Sequence, residues 1–249
     1  MKRYQLYIFD LDGTLYRGDE ALPGAVETVQ ALQANGSTVR FLTNNSGRSG
    51  EYIAAKLQRL GFAAQAQEVY TSAVGAARVC RQRSISRAFV VGEEGLTYEL
   101  LQEGVTSVQY EPQAVVVGIC RNFTYQWMNE AMQHLLAGAK FLATNTDASY
   151  PLEGGKLEPG AGAIVASIQT CSGVEPEVIG KPQPLLLEMI LADTRVGASD
   201  TLVIGDRYET DIEAGIAAGC DVFQVLTGVS RYAAAGVPSG SDLRPLLDE

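Results

Sequence analysis

Four short stretches carry residue types that could handle an anion. Asp10-Leu11-Asp12-Gly13-Thr14 sets two carboxylates two residues apart, directly after the apolar run Tyr4-Gln5-Leu6-Tyr7-Ile8-Phe9. Ligands of open α/β sheets bind beyond the carboxyl ends of strands, and Gly13 lets the chain turn sharply there. An ordinary Asx turn competes with that reading, because turns also favour Asp and Gly. Thr43-Asn44-Asn45 follows a second strand-like run and offers a hydroxyl, two amides and loop N–H groups, all suited to phosphate oxygens; it also fits a plain turn. Lys181, in Gly180-Lys181-Pro182, precedes a helix whose N-terminal end favours an anion, although lone lysines are mostly solvated. Asp206 and Asp211, in Gly205-Asp206-Arg207-Tyr208-Glu209-Thr210-Asp211, follow a further strand-like run, where either could instead cap a helix.

The elements that would position these residues alternate. Tyr4–Phe9 has the aromatic and branched content of a buried strand. Pro23-Gly24 opens a helix with Ala25, Val29 and Leu32 on one face, which stops at Asn35-Gly36. Val39–Leu42 is the next strand, and Ile53, Leu57 and Leu60 mark a helix with Ser49 as a cap and Gly61 as a stop. Near the other end, Thr201–Ile204, Ile212–Ala218 and Val222–Val225 read as strand, helix, strand. That pitch predicts a doubly wound parallel sheet with helices on both faces. The middle repeats the alternation, with strands at 88–91, 114–117 and 140–143 and a helix around Met128, Met132 and Leu135. We therefore expect an α/β core from residues 1–73 and 179–249, with a smaller α/β domain, 74–178, inserted into it.

The bulk numbers narrow the function classes. The 249 residues are 46% hydrophobic and carry a formal charge of −10, which disfavours a nucleic-acid surface because that needs a basic stripe. Met1-Lys2-Arg3-Tyr4 runs straight into a strand, so neither a signal peptide nor a membrane span is read. Cys80, Cys120, Cys171 and Cys220 are far apart, form no ligand cluster, and read as reduced core residues of a cytoplasmic protein. His134, Trp127, Met128 and Met132 read as packing rather than ligands.

Taken in order, the four stretches resemble the four motifs of the haloacid dehalogenase superfamily, a specific match over most of the chain. Phe9-Asp10-Leu11-Asp12-Gly13-Thr14-Leu15 is similar to the first, Thr43 to the second, Lys181 to the third, and Asp206 with Asp211 to the fourth. Leu42–Ser46, Pro159-Gly160-Ala161-Gly162-Ala163-Ile164, Gly180-Lys181-Pro182 and Leu226-Thr227-Gly228-Val229 resemble its NagD-like, p-nitrophenyl phosphatase branch. The resemblance implies a Rossmann-like core with an inserted cap of type IIA, lying where 74–178 was placed.

It also implies the chemistry of a phosphomonoester hydrolase. Asp10 would attack phosphorus to give an acyl-phosphate. Asp12 would protonate the leaving oxygen and then deprotonate the attacking water. Thr43, Asn44, Asn45 and Lys181 would bind the phosphate. Three ionised aspartates plus a phosphate monoester repel by roughly 4 kcal/mol per pair at ~4 Å and an effective dielectric of ~20, more than Lys181 can offset. A divalent cation is expected between Asp10, Asp206 and the phosphate, and oxygen-only ligation indicates Mg2+. The resemblance adds the Asp12 carbonyl as a ligand and puts Asp211 outside the ligand set, holding a metal-bound water or Lys181. Substrates would be small phosphorylated metabolites: nucleotide monophosphates, sugar phosphates or p-nitrophenyl phosphate. No nucleic-acid polymer or membrane is expected as a partner, and a homodimer is left open.

Other readings remain beside this one. A receiver module would use a similar acidic cluster without turnover, but has no use for Asp12. A phosphomutase would keep all four motifs, whereas a dehalogenase normally lacks the second aspartate. The stretch Gly160–Val165 suggests a nicotinamide oxidoreductase, but it lacks a third glycine and no convincing strand leads into it; it reads as a helix start. Cys120 stands where many relatives carry Asp, beside Arg121. It either removes an acceptor from a leaving-group pocket or simply packs the cap.

Overall fold

The computed structural model describes residues 2–151, 156–228, 230 and 232–247. In chain order the first elements are β1 (Leu6–Phe9), the short pair β2 (Tyr16–Arg17) and β3 (Glu20–Ala21), α1 (Ala25–Ala34), β4 (Thr38–Thr43), α2 (Gly50–Arg59) and β5 (Val69–Thr71). The middle runs α3 (Ser72–Gln82), β6 (Arg87–Val91), α4 (Glu94–Gln102), β7 (Thr106–Ser107), β8 (Ala114–Val117), α5 (Tyr125–Leu136) and β9 (Lys140–Ala143). It continues through β10 (Ser149–Pro151), β11 (Leu157–Pro159), α6 (Ala161–Ser172) and β12 (Glu177–Val178). The last part holds α7 (Leu185–Thr194), β13 (Thr201–Gly205), α8 (Glu213–Ala217), β14 (Asp221–Val225) and β15 (Ser239–Gly240). These form two compact units, one of Met1–Thr43, Glu51–Tyr70 and Lys181–Glu249, the other of Asn44–Gly50 and Thr71–Gly180.

The first unit is built on a sheet of order β15-β14-β13-β1-β4-β5. Its central strand β1 runs parallel to β13 and β4, with Phe9 paired to Ile204 on one side and Phe41 on the other. All four β1 residues are buried, as are all five of β13. Such unbroken burial needs apolar cover on both faces, which is why these strands read as continuous hydrophobic runs rather than alternating ones. Val29 and Leu32 of α1 and Ile53 and Leu57 of α2 join Phe9, Phe41, Ile204 and Phe223 in one core. Register then sets the site: the Asp10 N–H donates to the Ile204 carbonyl at 2.8 Å, so Asp10 leaves the sheet beside Gly205-Asp206.

The second unit has its own parallel sheet, β12-β9-β8-β6-β7. Phe89, Val115, Val117, Phe141, Ile164 and Ile168 pack together there with Cys120, and Trp127 and Met128 lie against them. The fold is thus the α/β, doubly wound parallel-sheet architecture that the alternation predicts. The His134 ring lies tilted by 51° against that of Phe89, with centroids 4.9 Å apart, a packing role. The burial of Cys120 supports its packing account.

Three local readings need correction. Cys171 is exposed rather than a core residue; on α6 it faces away from Ile164, Val165 and Ile168, which carry the buried face. A strand does lead into Gly160, but it is β11, three residues paired antiparallel with β10, not the parallel strand of a dinucleotide-binding unit. The helix expected at 212–218 is preceded by a π-type turn over Tyr208–Ile212, and α8 proper is five residues. Val229 of the Leu226–Val229 motif, and Met1 of the starting segment, lie outside the described residues. No helix among the described residues is long and apolar enough to cross a membrane.

Candidate active site

Three segments of the first unit bring their polar residues to one end of its sheet. β1 delivers Asp10, and the chain then closes a tight loop: the Gly13 N–H donates to the Tyr16 carbonyl at 2.8 Å and the Leu15 N–H to the Leu11 carbonyl at 2.8 Å. Gly13 has φ 87°, a conformation that a side chain would disfavour. β13 delivers Asp206, and the turn that follows returns Asp211. Lys181, just before α7, completes the group.

The distances are short. Lys181 Nζ lies 2.5 Å from Asp10 Oδ1 and 2.5 Å from Asp211 Oδ1. The second oxygen of Asp211 accepts the Arg207 N–H at 3.0 Å, so Asp211 ties its own turn to the lysine. Lys181, Asp206 and Asp211 are 3%, 3% and 2% exposed, so the solvated-lysine account fails for Lys181. The residue at the N-cap position of the turn that follows is Arg207, not Asp206. Asp206 sits in a slot of backbone: a Cβ on Gly228 would fall 1.8 Å from its Oδ2, and one on Gly13 2.8 Å from the same atom. Gly205 serves Asp211 likewise, since a Cβ there would lie 2.2 Å from the Asp211 Cβ.

Electrostatics follow from this packing. Burial raises the Asp10 carboxyl well above the ordinary aspartate value, and Asp211 and Asp206 push the same way against the pull of Lys181. Burial alone would lower Lys181, but Asp10 and Asp211 carry it upward, so it stays an ammonium. Three carboxylates against one ammonium leave a local excess of negative charge. Asp10, Asp206 and Asp211 each offer an oxygen, all within 4.8 Å of one another. An all-oxygen acidic set of this kind fits a hard divalent cation, and these residues could hold one.

Asp12 is different. It is exposed, and Tyr16 OH donates to its Oδ2 at 3.2 Å. Partial loss of hydration raises its carboxyl, tempered by the positive charge of Lys56 and by the Tyr16 hydrogen bond. Thr43 is 5% exposed at the end of β4, two residues past the Phe41 partner of Phe9, hence at the same end of the sheet as Asp10.

Asn44 and Asn45 belong to the second unit and are engaged there. Asn44 Nδ2 donates to Asp147 Oδ2 at 3.1 Å, and its carbonyl accepts from Ser72 Oγ and Asn145 Nδ2, both at 2.7 Å. Asn45 Oδ1 accepts the Gly47 and Arg48 N–H groups at 3.0 Å each. Arg121 is held in that unit by both oxygens of Glu93, at 2.7 and 2.8 Å, and by Tyr150 OH at 3.0 Å. Two parts of the site escaped sequence reasoning. Tyr16 carries no motif or period that would single it out, and the packing of Gly205 and Gly228 against carboxylates has no signature in a single chain beyond the glycines themselves.

Comparison with known proteins agrees with this geometry. Residues 7–106 match the family model of haloacid dehalogenase-like hydrolases and residues 178–242 a second, HAD-hydrolase-like model. The chain is 37% identical to the 5'-nucleotidase YutF of Bacillus subtilis over 93% of its own length and 90% of that protein. Its structure superposes on NagD from Escherichia coli K-12 with a TM-score of 0.89 at 31% identity, covering 97% of this chain and 98% of that one. A glycerol phosphate phosphatase from Mycobacterium tuberculosis, solved in complex with magnesium, gives a TM-score of 0.90 at 36% identity, covering 99% of this chain and 78% of that one. With its motif residues at the sheet end where the fold's ligands bind, the chain belongs to the haloacid dehalogenase-like hydrolases, in their NagD-like branch.

Proposed function

We propose that this phosphatase cleaves small phosphomonoesters through a phospho-aspartate formed on Asp10, with Mg2+ as its cofactor. One observation carries the reading: Asp10 lies at the end of the central strand, 2.5 Å from the ammonium of Lys181, with Asp206 and Asp211 close by. In this reading Lys181 binds a phosphoryl oxygen and aims the Asp10 carboxylate, while Asp211 fixes the lysine. Thr43, at the same sheet end, supplies a hydroxyl to the phosphate.

Asp10 and Asp206, with the carbonyl of Asp12, would hold the Mg2+. Bound there, the ion would offset the charge of the aspartates and of the phosphate oxygens. Asp10 Oδ attacks phosphorus in line as the ester P–O bond breaks, and Asp12 gives its proton to the leaving oxygen. A water then attacks the phospho-aspartate, losing its proton to Asp12 and restoring Asp10. Both proton transfers call for an acid that meets solvent, as exposed Asp12 does.

By their names the relatives include a 5'-nucleotidase, an acid sugar phosphatase, a glycerol phosphate phosphatase and a p-nitrophenyl phosphatase, which supports nucleotide monophosphates, sugar phosphates and p-nitrophenyl phosphate as the substrate panel. We assign residues 1–73 and 179–249 to the catalytic core and 74–178 to an inserted cap domain. The free cysteines suit a reducing compartment, in keeping with a cytoplasmic protein.

The test is phosphate release over that panel. Asp10→Asn should lose activity by about a thousandfold or more while its thermal unfolding stays cooperative. EDTA should abolish wild-type activity and Mg2+ restore it. Borohydride reduction during turnover should convert residue 10 to homoserine, as reduction of an acyl-phosphate does. Near-normal turnover by Asp10→Asn, in material free of wild-type enzyme, would remove the mechanism.

A further inference from the structure

The hydroxyl of Tyr16 has a task that packing does not explain. The residue is 1% exposed and belongs to the first unit's core with Phe9, Leu11 and Leu15. Its backbone is fixed there twice, its carbonyl accepting the Gly13 N–H at 2.8 Å and its N–H donating to the Leu11 carbonyl at 3.3 Å, the two bonds that make the β-bridge to Asp12. The phenolic oxygen emerges beside Asp12 and donates to Oδ2 at 3.2 Å. On the ring's face stands Lys56 of α2, with Nζ 4.1 Å from the centroid. That ammonium is also 3.8 Å from Asp19 Oδ1, and its side chain is only 18% exposed. A cation over an aromatic face draws electron density from the ring, which makes the phenol a better hydrogen-bond donor. Burial, with the charges of Asp12 and Asp10, keeps the phenol protonated far above neutral pH.

From this geometry we infer that Tyr16, backed by Lys56, is a positioning residue that sets which oxygen of Asp12 serves the reaction. The inference rests on the acid–base role proposed for Asp12. With Oδ2 occupied as an acceptor, the mobile proton belongs on Oδ1, and the bond also locks the rotamer that presents Oδ1. As the Asp10–phosphorus bond forms and the ester P–O bond breaks, the electron pair passes to the leaving oxygen. The proton on Asp12 Oδ1 follows it.

Leaving groups separate this role from plain packing. A p-nitrophenolate departs without a proton, whereas an alkoxide needs one. The ratio of kcat/KM for glycerol 3-phosphate to that for p-nitrophenyl phosphate therefore reports proton delivery, and a general loss of structure cancels in it. Positioned acids contribute roughly 10²–10⁴-fold, so Tyr16→Phe should lower the ratio by about tenfold or more. Lys56→Met, which keeps the aliphatic stem, should lower it by about threefold. Thermal unfolding checks that each variant folds; should Tyr16→Phe fail, the Lys56→Met ratio decides alone, because the tyrosine is then intact. Equal losses on both substrates overturn the inference and leave Tyr16 a core residue. Asp12→Asn tells the two readings apart. If it lowers the ratio and the Tyr16 and Lys56 variants do not, positioning is wrong and the acid stands; if it leaves the ratio unchanged, the acid role itself fails and the inference with it.

Discussion

Asp206 has little room to move. Backbone at Gly13 and Gly228 walls its carboxyl so closely that a methyl on Gly228 would sit 1.8 Å from Oδ2. The hydrogen bond from Thr227 Oγ1 to the Gly13 carbonyl, at 2.6 Å, clamps those two walls together. We therefore expect Gly228→Ala to turn Asp206 away and weaken Mg2+ binding by about tenfold or more, as disturbance of residues that orient ligands does. Calorimetric titration with Mg2+ measures this directly, and an unchanged affinity would count against Asp206 as a ligand. At this scale the sequence was uneven. Asp10, Asp12, Lys181, Asp206 and Asp211 stood out because carboxylates or a lysine beside glycine at the ends of apolar runs are few. Gly228 was visible only through its motif, and Tyr16 not at all, since its value lies in a contact with a residue four positions back across a turn that leaves no periodic trace.

The elements were legible in proportion to their apolar content. β1, β4, β8 and β13 are fully or largely buried runs, and a parallel sheet covered on both faces demands that pattern. β5 has three residues and gives no period to read. α3 was missed for another reason: Ala73, Gly75, Ala76 and Ala77 face inward, and small side chains mark a buried face weakly even where helices pack closely. The turn at Tyr208–Ile212 departs from the expected helix where the Asp211 carboxyl bonds both Lys181 and the Arg207 N–H, so the site's own contacts set the local backbone. What starts α3 is a cap, with Thr71 Oγ1 accepting the Val74 N–H at 3.0 Å. Thr71→Val keeps the shape and removes the acceptor, so it should cost about 1–2 kcal/mol of stability, and Thr71→Ser, which keeps the cap, less than half of that. Urea unfolding midpoints compare them, and a larger loss for Thr71→Ser than for Thr71→Val would mean that the methyl group, not the cap, matters.

At the scale of the whole molecule, charge and architecture meet in one measurement. The chain carries 29 acidic against 19 basic residues, and three of those acids crowd within the first unit around a single ammonium. That arrangement is unfavourable until a cation joins it, because buried like charges repel and are poorly hydrated. An ion that binds only the folded state stabilises it by about 2.7 kcal/mol at a hundred times its Kd. All the carboxylates concerned lie in the unit of residues 1–43, 51–70 and 181–249, while the second unit has its own sheet and its own core. The gain should therefore fall on one unit. Hydrogen exchange followed by mass spectrometry, in EDTA and then in saturating Mg2+, resolves this peptide by peptide. Peptides spanning β1 and β13 should exchange about a hundredfold more slowly with Mg2+, the kinetic equivalent of that free energy when exchange needs the whole unit to open. Peptides spanning β8 and β9 should change little. Equal slowing in both sets would mean that the two units open together, and no slowing in either would mean that the acidic cluster holds no ion.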